Sequence, residues 1–253
     1  MSWTFAEQLQ SERIEVTEGE AHHLLHVLRI KPRQSLVLFD GFGTVADALV
    51  ESMTRRSVVC RVLQRRAVPR VAEHSLNIAV SPPKGDRLRW MIEKLTELGV
   101  GQITLLGCER TVVEPGETRL EKLRGTAVAA CKQSRQAWLP ELRPLTDFSS
   151  LLKQADQLEC RLVLAHPPDE LAPGSPPLDP AAASARSSSP ASVGTADAGQ
   201  QLLLIGPEGG FTETEVAAAV AVGARLIHWP RTILRIETAA IVFTALLVAH
   251  PKN

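Results

Sequence analysis

From residue 76 onward, short apolar runs of strand character alternate with helical patterns, and that alternation leaves few architectures open. LNIAV (76–80), QITLL (102–106), RLVLA (161–165), QLLLI (201–205) and ARLIHW (224–229) read as strands. Between the first two, residues 86–98 carry Leu88, Ile92, Leu95 and Leu98 on one face and stop at Gly99. Residues 118–134 repeat the pattern with Leu120, Leu123, Ala127 and Cys131, and further helices are expected over 212–222 and from about 237. Strands joined through helices require parallel crossovers and a sheet covered on both faces. This half of the chain is α/β.

The first 70 residues follow another rule. SLVLFD (35–40), Gly41-Phe42-Gly43 and TVADALVES (44–52) read as a hairpin with a glycine-supplied turn, and SVVCRVL (57–63) adds a strand. Before them, residues 18–29 put Ala21, Leu24, Leu25 and Leu28 at helical spacing. A small β-rich unit with one short helix commonly forms a compact barrel, with residues 70–75 as the crossing to the α/β part. Inside the α/β part, residues 167–200 hold seven of the chain's 17 prolines, are rich in Ala and Ser, and lack aromatics. Such a segment buries too little apolar surface to offset its ordering entropy, and it reads as a disordered insertion in a loop.

Composition narrows the function classes. With 253 residues and 44% hydrophobic content, a real core can form. No stretch reaches the roughly 18 apolar residues of a membrane helix, and the N-terminus lacks the basic start and apolar centre of a secretory signal. The four cysteines are far apart with no C-x-x-C pair, which fits reduced, buried thiols in a cytoplasmic protein. His22, His23 and His26 have no acidic or thiol ligands at useful spacing, so no metal site is expected. Neither a G-x-S-x-G elbow nor a carboxylate pair for hydrolysis stands out. The net charge of zero conceals an asymmetry. Residues 1–28 hold one arginine against five acids, whereas residues 29–70 hold nine Lys/Arg against three acids. That local excess suits an anionic partner such as RNA phosphate, and a merely solvated basic face meets it equally well.

Two stretches carry possible chemistry. In LLLIGPEGGFTETEV (202–216) an apolar strand stops at a glycine-rich corner and a helix begins. The spacing is neither G-x-G-x-x-G nor a P-loop, yet open α/β sheets bind ligands at this position, beyond the carboxyl ends of strands. Thr212 and Glu215 form a capping box, which accounts for those two residues but not for Glu208 between Gly-Pro and Gly-Gly. In WPRTILRIETAAIVFTALLVAH (229–250), Pro230, Arg231 and Arg235 lie in a loop and Glu237-Thr238 opens a helix that is apolar nearly all round. Such a helix must be covered on every side, within the domain or across a subunit interface. Two arginines beside the positive end of its dipole call for an anion or an electron-rich base, or for an internal pair with Glu237 or Glu208. Lys84 and Gln133-Ser134 say nothing alone.

Taken in order, HHLLHVLR, FDGFG, PKGDRLRWMIEKLTELGV, CERTVV, KQS, LLLIGPEGGFTETEV and ILRIETAA closely resemble the RsmE family, the 16S rRNA uridine N3-methyltransferases of the SPOUT superfamily. The resemblance covers nearly the whole chain outside 167–200. It implies a PUA-like RNA-binding barrel over 1–70 and a knotted SPOUT methyltransferase domain over 71–253. It also implies S-adenosylmethionine as methyl donor, 16S rRNA of the small ribosomal subunit as partner, and a homodimer. The cofactor would lie among three loops: His166 with Pro167; Ile205, Gly206, Pro207, Glu208, Gly209 and Gly210; and Ile233, Leu234, Thr238 and Ala239. Arg235 would stabilise charge on the uridine, with Glu208 as a second catalytic candidate. RNA contacts would fall to His23, Arg29, Arg65, Arg66, Lys84 and Arg231. The chain departs from the family pattern in three places. Arg33-Gln34 stands where Gly-Asp is frequent, Ile236 replaces the Thr of LRTETA, and KQS-Arg-Gln (132–136) replaces EQS-Gly-Arg. Two other readings remain: a ribose 2′-O-methyltransferase on the same fold, and a non-catalytic RNA-binding factor in ribosome assembly.

Overall fold

The computed structural model describes residues 1–70, 76–158, 160–167, 200–230 and 232–249. Residues 71–75 of the expected crossing, nearly all of the 167–200 insertion, and Arg231 lie outside the described residues. The chain forms two compact units, Met1–Arg70 with Ala127–Leu139, and Val71–Thr126 with Pro140–Asn253.

The first unit holds a five-stranded sheet in the order β1 (Ser2–Phe5), β3 (Ser35–Phe39), β4 (Thr44–Met53), β5 (Val58–Ala67), β2 (Arg13–Val16). β1 and β3 are parallel, and the other pairs are antiparallel. β3 is apolar on both faces for a reason. Leu36 and Leu38 join a cluster with Leu9, Leu24 and Val50, while Val37 and Phe39 pack with Val45, Cys131 and Ala137. The predicted hairpin forms, and its tip is fixed by Asp40, whose Oδ1 accepts from the backbone N–H groups of Phe42 (2.7 Å) and Thr44 (2.9 Å). Gly41 and Gly43 adopt φ of 80° and 89°, and a Cβ on either would strike Leu139 or Trp138. The predicted helix over 18–29 is corrected: α1 (Glu18–His22) gives way to a π-helical turn (His23–Val27). The wider i→i+5 turn rotates the later residues off the helical stripe. Ala21 and Leu24 are buried, but Leu28 is exposed.

The second unit is a six-stranded sheet in the order β11 (Arg225–Ile227), β9 (Arg161–Ala165), β10 (Gln201–Ile205), β6 (Leu76–Val80), β7 (Gln102–Gly107), β8 (Glu141–Asp147). Every pairing is parallel. Its helices are α2 (Arg87–Glu97), the first part of α3 (Glu117–Ser134), α4 (Phe148–Gln157), α5 (Glu213–Ala221) and α6 (Ile236–Ala249). The chain builds outward from β6 to β8, then returns to place β10 against the other side of β6. Ile205 pairs in register with both Val80 and Ala165, and Ile227 also pairs with Ala165. The carboxyl ends of these strands are therefore level, and the loops leaving them start along one edge. β11 is shorter than the expected 224–229 because it has one neighbour only, and His228 and Trp229 leave the ladder. β1, β2, β8 and α4 were not foreseen in the sequence.

Helix ends follow local chemistry. Thr212 and Glu215 form the reciprocal capping box at the start of α5. α2 ends at Gly99 (φ 79°) with Val100 N–H donating to the Leu95 carbonyl, the six-residue closure of a Schellman motif. α3 ends the same way, with Gln136 N–H donating to the Cys131 carbonyl, but the left-handed position is Arg135 (φ 60°). α6 buries Ile236, Ala239, Ala240 and Phe243, while Ile241, Val242 and Ala245 on the opposite side remain half-exposed, so the single chain covers one side of this apolar helix. Among the described residues no helix is long and apolar enough to cross a membrane.

A non-glycine residue held at positive φ costs roughly 1–2 kcal/mol. Arg135→Gly is expected to stabilise the protein by about 0.5–1 kcal/mol after the glycine's larger unfolded-state entropy is deducted. A higher midpoint in urea unfolding would report it; an unchanged or lower midpoint would count against the account of this cap.

Candidate active site

Three loops that start along the level strand edge or lead into α6 enclose one cavity of about 520 Å³. It is lined by His166 and Pro167 after β9, by Ile205 to Glu208 and Gly210 after β10, and by Thr232 to Ile236 with Ala239 at the entrance to α6. Phe211, Trp229 and Phe243 supply aromatic wall, and Arg87 reaches in from α2. Ten of the twelve residues expected around the cofactor thus meet at one space. Gly209 and Thr238 do not line it. Gly209 faces a smaller recess of about 50 Å³, shared with Lys84 and Arg110, and Thr238 is half-buried in the first turn of α6.

The glycines have separate tasks. A Cβ on Gly206 would come within 2.9 Å of the Phe211 ring, which packs against Phe148 at 5.5 Å between centroids. Gly210 takes φ 71°, the left-handed turn into the capping box. A side chain at Gly209 would press on Arg110, whose guanidinium donates to the Gly209 carbonyl at 2.6 Å. The Glu215 carboxylate serves two loops, accepting from Thr212 N–H at 2.8 Å and from Glu109 N–H at 2.9 Å. His166 is buried, and its backbone N–H donates to the Ile227 carbonyl at 2.9 Å, tying the first loop to the end of β11.

Arg87 is the residue the sequence reading missed. Its Nη2 donates to Glu208 Oε1 at 3.0 Å, its Nη1 lies 3.6 Å from Glu237 Oε1, and its Nε donates to the Lys84 carbonyl at 3.3 Å. The exposed arm to Glu208 contributes at most about 1 kcal/mol. The arm to Glu237 matters more, because that carboxylate is 8% exposed and its Oε2 has no hydrogen-bond partner. Losing the cation beside a buried carboxylate costs about 3–5 kcal/mol when both partners are buried, and less here with a half-buried guanidinium. A signal was present in the sequence: an arginine in the first turn of a helix opposes the dipole unless carboxylates come from elsewhere. The alternative that Arg231 or Arg235 serves Glu208 and Glu237 is corrected as to Arg235, because Arg87 takes that place. Among the described residues no hydrogen bond or ion pair holds the Arg235 guanidinium, which is exposed at the cavity.

The expected RNA-contact residues are dispersed. In the first unit, Arg65 donates to the carbonyls of Leu9 and Ser11 between β1 and β2, and Arg66 pairs with Asp47 of β4 at 3.1 Å, so both are engaged within the unit. His23 sits on the π-helical turn, where burial lowers its pKa, and Arg29 is exposed at φ 50°. In the second unit Lys84 is exposed just before α2. The described residues contain no group of three or more metal-ligating side chains, and all four cysteines are free thiols, with burial raising Cys108 and Cys131 to about 12.

A parallel α/β sheet with a glycine-cornered cavity at its carboxyl edge, preceded in sequence by a small β unit, fits an RNA methyltransferase. Residues 71–248 match the RNA methyltransferase domain family and residues 16–63 the RNA methyltransferase PUA domain. The chain is 30% identical over 234 residues to ribosomal RNA small subunit methyltransferase E of Mycobacterium bovis, covering 90% of this chain and 84% of that protein. Among solved structures, a Porphyromonas gingivalis protein described as an rRNA methyltransferase superposes with a TM-score of 0.80 at 26% identity, over 99% of this chain and 98% of that one. A Legionella pneumophila protein described as a methyltransferase, solved with bound S-adenosylmethionine, gives 0.76 at 25% identity, over 98% and 96%. The chain belongs to the ribosomal RNA small subunit methyltransferase E family of RNA methyltransferases.

Gly206→Ala is expected to force the Phe211 ring aside, cost about 1–3 kcal/mol of stability and weaken ligand binding in the cavity. Thermal unfolding and calorimetric titration with S-adenosylmethionine check it; wild-type values in both would refute the steric account.

Proposed function

We propose that this chain methylates N3 of a uridine in 16S rRNA of the small ribosomal subunit, with S-adenosylmethionine as donor. The observation that carries the reading is the convergence of His166, the 205–210 corner and the 233–239 segment on one cavity, in a chain of this family. About 520 Å³ lies within the range of small-molecule sites. The walls are apolar and aromatic, and backbone approaches closely where Gly206 and Gly210 leave no side chain. Those features fit an adenosyl compound. When bound, that cofactor supplies an electrophilic methyl on a sulfonium; no metal is required.

The protein's own task is to orient the base, exclude water and manage a proton. Uridine N3 must lose its proton, and negative charge then spreads over the ring carbonyls. Arg235, with no internal partner among the described residues, is placed to stabilise that charge from the cavity rim. Glu208 is engaged by Arg87, which favours a loop-fixing role over that of general base. The target base leaves its stack to reach the cavity, and the first unit, with the local cationic excess of residues 29–70, holds the surrounding RNA. In this reading the chain works in the cytoplasm as a homodimer. The half-exposed apolar side of α6 supports the dimer, as does Trp90, 47% exposed on the neighbouring α2.

Arg235→Ala is expected to lower turnover by 10²–10³-fold, the scale of one charge-stabilising donor, while affinity for the cofactor changes less. Nucleoside mass mapping of the wild-type product should place the methyl on the base. A 2′-O-methyl product would favour the ribose reading, and absence of cofactor binding in calorimetry would favour a non-catalytic assembly factor. For the dimer, sedimentation should give twice the chain mass, and Ile241→Glu should return monomers; a wild-type monomer would remove that part of the proposal.

A further inference from the structure

We propose that Arg87 is the positioning residue that locks the cavity's loops into their binding arrangement, acting through Glu208 and Glu237; the inference rests on the methyltransferase reading above. One planar group ties its own segment to two others that are distant in sequence. Its nitrogens engage the Lys84 carbonyl before α2, Glu208 in the glycine corner and Glu237 in the first turn of α6. The corner and the α6 entrance each contribute cavity wall, so the guanidinium fixes the distance between two walls.

The physics makes this an active constraint. Arg87 stands at the positive end of α2, where a cation is disfavoured unless carboxylates face it. Glu208 and Glu237 would repel one another if brought together without it. Glu237 is buried, and among the described residues Arg87 is the cation paired with it. The buried charge of Glu237 is thus compensated only when α2 and the α6 entrance converge, and the more exposed Glu208 adds a weaker second tie. Lysine is a poor substitute, because its three donors radiate from one nitrogen and cannot span oxygens that Arg87 reaches with three separate nitrogens.

The test uses the full chain and its variants Arg87→Ala, Arg87→Lys, Glu208→Gln and the double variant Arg87→Ala/Glu208→Gln. Binding of S-adenosylmethionine is followed by calorimetry, and backbone hydrogen exchange over 204–212 and 234–240 is followed without ligand. Arg87→Ala should weaken binding at least tenfold and raise KM for the cofactor, with kcat within threefold. Exchange in both segments should accelerate by a similar factor. Arg87→Lys should recover little, and the double variant should be no weaker than Arg87→Ala alone. Wild-type binding and exchange in Arg87→Ala would overturn the proposal, as would full rescue by lysine. So would multiplying losses in the double variant, which would mean direct cofactor contact independent of Glu208. Should Arg87→Ala fail to fold, Arg87→Lys against wild type decides the matter by the same two readouts. Should the wild-type chain not bind the cofactor, the functional reading falls, and the ligand-free exchange still decides the clasp.

Discussion

Parallel pairing in register between β9, β10 and β6 is the constraint from which the site follows. Because Ala165, Ile205 and Val80 are level across three strands, each chain must turn at the same edge of the sheet. The backbone groups beyond that edge lose their ladder partners and need others. Some are met by neighbouring segments, as when Ser81 N–H reaches the Ile205 carbonyl at 2.9 Å and His166 N–H reaches that of Ile227. The inserted position of β10, beside β6 rather than outside β9, marks where strand order reverses. Loops diverge at such a point and leave a crevice.

A crevice formed this way is only as well defined as its loops, and here charge defines them. Arg110 and Glu215 bond backbone across loops, and Arg87 pairs with Glu208, although all three lie at the surface. The glycine corner is permissive by composition, so its shape has to be imposed from outside. Steric contact with Phe211 and Arg110 supplies part of that imposition, and the ion pair with Arg87 supplies the rest. Rigid walls made from individually weak contacts are consistent with a cavity that must close around a flat ligand and exclude water.

What could be read in the sequence divides along a physical line. The interior strands β3, β4, β5, β6, β7, β9 and β10 were legible because burial demands continuous or alternating apolar residues. All three strands that escaped notice, β1, β2 and β8, are sheet edges. β8 is the clearest case: its sequence ELRPLTD is mostly polar, and Pro144 falls where the register with β7 slips between Thr104 and Leu106. Proline and polarity are what an edge permits and what a periodicity search rejects. The cavity was legible for a different reason, since backbone specialisation at 205–210 has few other uses. Arg87 was legible only in part, because an arginine in a first helical turn calls for carboxylates from elsewhere but nothing local points to residues 208 and 237. Grouping of Ala127–Leu139 with the first unit likewise depends on contacts that no local pattern announces.

The departures from the family pattern show how backbone geometry can outlast the residue best suited to it. Arg33 and Arg135 stand where glycine is frequent, yet both hold left-handed backbone, at φ 65° and 60°. Neighbouring hydrogen bonds enforce the turn: Arg33 N–H donates to the Val50 carbonyl at 2.8 Å, and Gln136 N–H closes the end of α3. Each arginine carries strain of roughly 1–2 kcal/mol that a glycine would not. The fold tolerates it because these bonds lie inside the hairpin sheet and at a helix end already fixed by Cys131 in the core. What changes at both places is the side chain presented to solvent, a guanidinium in place of nothing. Under the proposed role of this unit in holding RNA, an added exposed cation is the exchange that strain of this size can support.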